Sequence, residues 1–316
     1  MDKKAELEAQ LAQLDARLAE LRRTAQSGNQ SDIEELERVQ AEANVVATEL
    51  FQDLEPWDHV TIARHDKRPY SLDYIETMFE EFTELHGDRR YGDDGAVVAG
   101  LAWLDDHPVA VVAQQKGRTA SERKQRNFGM ARPEGYRKAM RIMQLAAKMK
   151  RPIISLVDTP GADCLADSEG RGISEAIATN QRDMFSLPVP IVAAVLGEGG
   201  SGGAIGIAVA DRVLMLEHAY YSVIAPESCA AILWRNPELR RQAAEALKLT
   251  SGDAKRLGII DEVVPEPPGG AHRNPATAAA YLREALVAAL ESIRGLPAEE
   301  LTAARYRKFR TMGGPV

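Results

Sequence analysis

Only two cysteines, Cys164 and Cys229, occur in 316 residues. Two thiols cannot build a disulfide framework or a four-thiolate zinc site, so two reduced thiols in a cytoplasmic protein are expected. Aromatic residues make up 5%, too few for a wall of base-stacking platforms. No run approaches the roughly 18 apolar residues of a membrane span. The opening MDKKAELEAQ has lysines but no apolar stretch behind them, and does not read as a signal peptide. The histidines, at 59, 65, 86, 107, 218 and 272, lack metal spacing such as HExxH, and no metal is expected. Basic residues number 39 against 47 acidic ones, a net charge of −8. That disfavours a surface that grips nucleic acid throughout, but leaves room for a local basic patch.

What is present is a sizeable core: 45% of residues are apolar and 27% charged. The length fits one large domain or two modest ones. Leu7, Leu11, Leu14, Leu18 and Leu21 form a heptad stripe. A break at SGNQSD follows, with Ser31 or Asp32 as caps for a second helix whose apolar side is Ile33, Leu36, Val45, Val46 and Leu50. This hairpin is expected to be too thin to bury its own stripe and to need a body or a partner. SLDYIETMFEEFTELHGDRRYGDD reads as one helix from Ser71 to Gly87. From Ala96, AVVAGLAWL and PVAVVAQQ flank a DDHP turn as a hairpin. EGYRKAMRIMQLAAKMK and SEAIATNQRDMFSL read as helices, and PIISLVD, PIVAAVLG, RVLML and YYSVI as strands. AIGIAVA reads as a small-residue helix, and a helix from Pro275 to about Ile293 closes the chain. Alternating elements with nearly continuous apolar strands predict a layered α/β body. The expected division is a hairpin over 1–50, a body over 51–296 and a tail over 297–316.

Three segments carry candidate chemistry. Gly199, Gly200, Ser201, Gly202 and Gly203 follow a strand and open a helix. Glycine lets a ligand approach the backbone, and first-turn N–H groups favour negative charge. No GK[ST] follows, so this is not a P-loop, and GxGxxG is absent. Such a site can hold a phosphate or an enolate oxygen, and the lesser alternative is a crowded strand–helix junction. The second segment is Asp158, Thr159, Pro160, Gly161 and Ala162, where Asp158 would cap the turn and Gly161 would add a backbone donor. Two glycine loops leaving neighbouring strands can face one pocket. The third is the basic cluster Lys116, Arg118, Arg123, Lys124, Arg126 and Arg132, suited to phosphate or simply solvated. Ser201 lacks a GxSxG elbow. Cys164 has no neighbouring base, Cys229 reads as packing, and His272 in GGAHRNP is the best single histidine for ligand contact, although a loop or capping role is favoured for it. Backbone electrostatics are favoured over a side-chain nucleophile.

These segments carry a family resemblance. RPYSLDYI, HGDRRYGDD, QKGR, RNFGMARPEGYRKAMR, DTPGA, GEGGSGGAIGIA, YYSVIAPESCAAILW and GIIDEVVPEPPGGAHRNP occur in order. Together they closely resemble the alpha subunits of bacterial acetyl-coenzyme A carboxylase carboxyltransferase. The resemblance implies a crotonase-like ββα spiral core with an N-terminal helical hairpin and C-terminal helices. It implies a beta subunit with its own four-cysteine zinc site, in an alpha2–beta2 heterotetramer. It implies carboxyl transfer from carboxybiotin, on a biotin carboxyl carrier protein, to acetyl-coenzyme A, giving malonyl-coenzyme A in the cytoplasm. ATP is used by a separate biotin carboxylase. Gly202 and Gly203, with Gly161, would be the catalytic backbone donors on the biotin ureido side. Gly199, Gly200 and Ala162 would line the cofactor, and Lys116 and Arg118 would sit at the intersubunit rim. Gly203→Val is then expected to abolish transfer while preserving assembly.

One segment departs from the family. After DTPGA the usual Tyr-Pro-Gly and GAEERGQ are replaced by Asp163, Cys164, Leu165, Ala166, Asp167, Ser168, Glu169, Gly170, Arg171, Gly172 and Ile173. Losing Pro and Gly changes loop stiffness and path, and Asp163 would bring a charge toward biotin. The alternatives are a carboxyltransferase for another short acyl-coenzyme A, a non-catalytic scaffold, or a nucleic-acid contact by the basic cluster that weakens steeply with salt.

Overall fold

The structure is a computed structural model that describes residues 3–24 and 30–314. Helices α1 (Lys3–Thr24) and α2 (Gln30–Leu50) form the expected hairpin. Residues 27–29 of the expected break lie outside the described residues. Ser31 and Asp32 fall inside the first turn of α2, not before it. The hairpin buries more of its own stripe than expected. Leu11, Leu18 and Leu21 pack on Val39, Ala43, Val46 and Ala47. Val45, expected on that face, is 69% exposed. Arg273 ties the hairpin to the body through both Asp15 oxygens, at 2.8 and 2.6 Å.

Helices α3 (Pro56–Ala63) and α4 (Ser71–Met78) lead into the body. The single helix expected to Gly87 ends at Met78, and Glu80–Glu84 is strand β1. It pairs antiparallel with β2 (Val97–Leu104). A Cβ at Gly100 would stand 2.2 Å from the Thr83 carbonyl oxygen, so β1 can lie this close only against glycine. Strand β3 (His107–Gln114) completes the hairpin, with Leu104 opposite His107. The connection then runs through α5 (Ala120–Gln125) to α6 (Pro133–Lys148).

The sheet continues in parallel through β4 (Ile153–Thr159) and β5 (Ile191–Gly200), both wholly buried. Short α7 (Ala166–Gly170) and α8 (Ile173–Met184) connect them. Strand β5 runs three residues past Gly197, where the expected strand ended, to include Gly199 and Gly200, and serves two partners. Residues 192–195 pair with β6 (Arg212–Leu216), and 198–200 pair with β7 (Tyr220–Ser222). Helix α9 (Ser201–Ile205) is only the first part of the expected small-residue helix; residues 208–210 are not helical. Helices α10 (Pro226–Trp234), α11 (Arg240–Leu247) and α12 (Ser251–Arg256) precede β8 (Glu262–Val264), which adds to β6. Helix α13 (Pro275–Glu291) covers β5 and β6 with Leu282, Leu286 and Leu290.

The expected tail holds one of the expected C-terminal helices. Ala298–Thr311 is helix α14, with Leu301 and Arg305 buried. Arg305 pairs with Asp211 at 2.9 and 2.7 Å and donates to the carbonyls of Met184, Leu187 and Val189. One guanidinium thus satisfies the end of α8, the turn before β5 and a buried carboxylate. Among the described residues no helix is long and apolar enough to cross a membrane.

Candidate active site

The glycine run and the DTPGA loop meet at the ends of β4 and β5, where Thr159 lies opposite Gly199. The meeting is tight for most of these glycines. A Cβ at Gly200 would lie 2.2 Å from the Pro160 carbonyl oxygen. One at Gly203 would lie 2.5 Å from the Gly161 carbonyl carbon and 2.6 Å from the Ala162 nitrogen. One at Gly199 would strike the Tyr221 ring at 2.8 Å. These three are close-approach glycines, as the crowded-junction reading holds. Gly203→Val therefore drives bulk into the neighbouring loop, not into open ligand space, and its expected neutrality toward assembly is corrected. The Gly203 carbonyl also accepts from Gln114 (2.7 Å) and the Tyr136 hydroxyl (3.2 Å).

Gly202 differs. Its Cβ would meet only Ile177, at 3.6 Å, an ordinary contact. With Ser201, Ile205 and Tyr221 it borders an apolar cleft of about 550 Å³. Gly161 has nothing within 4 Å of a Cβ, but its N–H donates to Thr159 Oγ1 (3.1 Å). That donor is committed inside the loop. Thr159, not Asp158, organises the turn.

Asp158 instead faces a buried ionic cluster. Its Oδ1 accepts from the Glu198 N–H (2.9 Å) and pairs with Lys116 (2.7 Å). Lys116 also pairs with Glu198 (2.8 Å), which pairs with Arg64 (2.8 Å) and accepts from the Tyr220 hydroxyl (2.6 Å). Arg64 reaches on to Glu227 (2.5 Å). The cluster floors a small pocket of about 170 Å³ that Tyr70, Arg123 and Phe128 also line. Lys116 is thus a buried cation with two carboxylate partners, and not the free rim charge expected. Burial opposes ionisation of Glu198, but Lys116 and Arg64 outweigh it and hold its pKa at about 2. Lys116 is held up at about 12, burial being outweighed by Asp158 and Glu198.

The rest of the basic cluster is largely spent as well. Arg118 pairs with Asp73 and lies 4.6 Å from the Tyr70 ring centre. Arg123 pairs with Asp66, and Arg132 lies 3.6 Å from Asp163. A free cationic face for nucleic acid is therefore not what this loop presents. The divergent loop is also tamer than its sequence suggests. Asp163 is 4% exposed on its side chain, accepts from Ser168 (2.7 Å) and the Leu165 N–H (3.2 Å), and so starts α7. It does not project its charge into the site; Cys164 and Leu165 are exposed beside it, as are Ala166, Asp167, Glu169 and Gly170. His272 stacks on His65 at 3.8 Å, and burial with His65 and Arg68 lowers its pKa to about 3. Its Nδ1 is buried and has no hydrogen-bond partner among the described residues. Cys229 is buried against Ala230 and Ala243.

Arg64, Glu198, Tyr220 and Glu227 were not singled out from sequence. The one available signal was Glu198, a carboxylate at the end of an otherwise apolar strand, which requires a partner when buried.

A profile of the acetyl co-enzyme A carboxylase carboxyltransferase-like family matches residues 4–313. The chain belongs to that family. It is 50% identical over 307 residues to the acetyl-coenzyme A carboxylase carboxyl transferase subunit alpha of Gloeobacter violaceus, covering 97% of this chain and 94% of that one. It is 56% identical over 263 residues to the subunit alpha of Geobacter sulfurreducens, covering 83% and 82%. Transcarboxylase 12S superposes with a TM-score of 0.58 at 20% identity, over 72% of this chain and 42% of that one. The Pseudomonas malonate decarboxylase MdcD–MdcE hetero-dimer gives 0.56 at 20% identity, over 70% and 92%. The mixed α/β fold is thus shared with enzymes of carboxyl chemistry.

The Glu198 shift has a measurable consequence. A carboxylate whose folded pKa is depressed stabilises the fold above its unfolded pKa and loses that contribution as pH falls through the folded value. From near pH 5 down to about 2, Glu198 alone should cost on the order of 3 kcal/mol. Urea midpoints across that range should fall, and Glu198→Gln should flatten the slope. An unchanged slope would remove Glu198 from the cluster.

Proposed function

We propose that this chain is the alpha half of a carboxyltransferase that moves a carboxyl group from carboxybiotin to acetyl-coenzyme A, giving malonyl-coenzyme A for fatty acid biosynthesis. The observation that carries the reading is 50% identity over 97% of the chain to a subunit alpha of that enzyme. The fold's branching strand β5, shared between β6 and β7, supports the finer expectation of a crotonase-like ββα spiral.

Carboxybiotin, tethered to a biotin carboxyl carrier protein, is the carboxyl donor, and its ureido oxygen gains charge as the carboxyl group leaves. We assign the backbone N–H groups of Gly202 and Gly203 to that oxygen. Backbone donors need no reorganisation, and one such donor is worth about 3 kcal/mol in other enzymes. Gly199, Gly200 and Ala162 hold the two loops in register around them, and Gly161 completes the wall. Lys116 and Arg118 act indirectly, by fixing the loop that follows β3. The beta subunit, in an alpha2–beta2 assembly with its own zinc, would supply the thioester oxyanion site. ATP would be used by the separate biotin carboxylase, and the assembly would work in the cytoplasm.

The test is the reverse reaction: malonyl-coenzyme A and free biotin with the chain and its co-encoded beta partner. Acetyl-coenzyme A should form only when both chains are present. Gly202→Val, whose Cβ makes only an ordinary 3.6 Å contact with Ile177, should keep the melting temperature and lower turnover about 100-fold. Full activity in that variant would remove Gly202 from the site. The exposed Cys164 and Leu165 in the divergent loop favour one second reading, a different short acyl acceptor. A panel of acyl-coenzymes A in the same assay separates it from the first, and failure across the panel would leave a scaffold.

A further inference from the structure

A second cleft, of about 470 Å³, lies between α6 and α8, lined also by residues 88–90. Its size is that of a small-molecule pocket, about 300–1,000 Å³. Five arginines and three carboxylates line it, in a chain whose net charge is −8. The carboxylates are already engaged. Asp88 pairs with Arg137 (2.8 Å) and accepts from the N–H groups of Arg90, Tyr91 and Gly92. Asp183 pairs with Arg182 (2.7 Å), and Glu175 accepts from Thr179 (3.0 Å).

That leaves three guanidinium groups without a carboxylate partner among the described residues. Arg141 donates to the Gly87 and His86 carbonyls (2.9 and 3.0 Å), and Arg89 donates to the His86 carbonyl (3.0 Å). Arg90 stands beside them on the turn that Asp88 organises. Burial and the neighbouring Arg89 push the Arg141 guanidinium below its ordinary value. It remains charged, and like charges held together are relieved by an anion. One carboxylate would satisfy one guanidinium; phosphate offers oxygens to several at once.

We propose that the cleft between α6 and α8 is a binding site for a small phosphorylated anion, held by Arg89, Arg90 and Arg141. This site is separate from the glycine corner and does not depend on carboxyl transfer or on the acyl acceptor. It has a route to that corner all the same. Helix α8 carries Ile177, the neighbour of Gly202, and Asn180, which donates to the Tyr136 and Gly206 carbonyls.

The test is calorimetric titration of the full chain with inorganic pyrophosphate at fixed ionic strength, with inorganic phosphate as a second arm. Saturable one-to-one binding is expected, tighter for pyrophosphate. Arg141→Gln and Arg89→Gln should each weaken it about tenfold or more, the loss of one charge-assisted contact. Arg89 is exposed, so its variant folds whatever Arg141 contributes to the loop. Lys124→Gln, in the other basic segment, should change nothing. Absence of saturable heat, or affinity unchanged from the parent in both arginine variants, would overturn the site. So would equal affinity for a hexaglutamate peptide, which would make the cleft a docking surface for an acidic chain.

Discussion

Gly200→Ala should prevent the chain from reaching its native fold, or cost it more than about 3 kcal/mol. The added carbon would stand 2.2 Å from the Pro160 carbonyl oxygen, 2.3 Å from its carbon and 2.8 Å from the Thr159 oxygen. All three are backbone atoms, so no side chain can swing away. Both backbones are also tied into the sheet, since Gly200 pairs with Ser222 on β7 and the DTPGA loop leaves the buried end of β4. Soluble yield and the urea midpoint are the measurements. Gly202→Ala is the control two residues along, where the new carbon makes only a 3.6 Å contact with Ile177. It should melt within about 1 kcal/mol of the parent, since alanine is the better helix residue. If both variants behaved alike, the loops would be soft and the packing account of Gly200 would fail.

Lys116→Met should lower stability by about 3–5 kcal/mol at neutral pH, because it leaves Asp158 and Glu198 buried without their shared cation. The pH dependence gives the loss a signature. Without the ammonium group, Glu198 keeps Arg64 and the Tyr220 hydroxyl but loses Lys116, the largest influence holding its pKa down, so that pKa is less depressed than in the parent. The stability that a depressed carboxylate contributes is present above its unfolded pKa and shrinks as pH falls toward the folded value, so the variant has less of it to lose at low pH. The destabilisation should therefore be smaller at pH 4 than at pH 7. Paired denaturation curves at the two values check it. A lysine whose task was to hold a phosphate at the subunit rim would behave otherwise: melting unchanged, KM raised. Arg123→Gln, facing the exposed Asp66, should cost no more than about 1 kcal/mol.

Much of the architecture was legible in the chain because its signals are local. The leucine stripe of α1, the apolar runs of β4 and β5, and the paired strands around Asp105 and Asp106 each declare themselves within a few residues. The ordered motifs from RPYSLDYI to GIIDEVVPEPPGGAHRNP placed the family. Strand β1 was missed because EEFTE alternates too weakly to announce a strand; its reason for pairing is the missing Cβ of Gly100, on another strand. Helix α14, expected only as one of the C-terminal helices that the family resemblance implies, was given no bounds by its residues because its deepest anchor is polar. Arg305 is buried only because carbonyls at 184, 187 and 189 and the Asp211 carboxylate converge on it.

The candidate site divides along the same line. Sequence by itself marked two glycine loops, each leaving an apolar strand, as able to face one pocket, since strand runs and glycine spacing are written locally; that the two strands are neighbours is a matter of sheet pairing. Only the tertiary structure decided which glycines are pressed against backbone and which one is open. Gly199, Gly200 and Gly203 share a letter with Gly202, but their neighbours come from residues 159–162 and from β7. Charge was decided in the same way. Lys116 reads as a free cation in its own loop and becomes a buried bridge only when Asp158 and Glu198 arrive from β4 and β5. The cost of burying a charge depends on its partners in space, and partners that far along the chain are set by the fold.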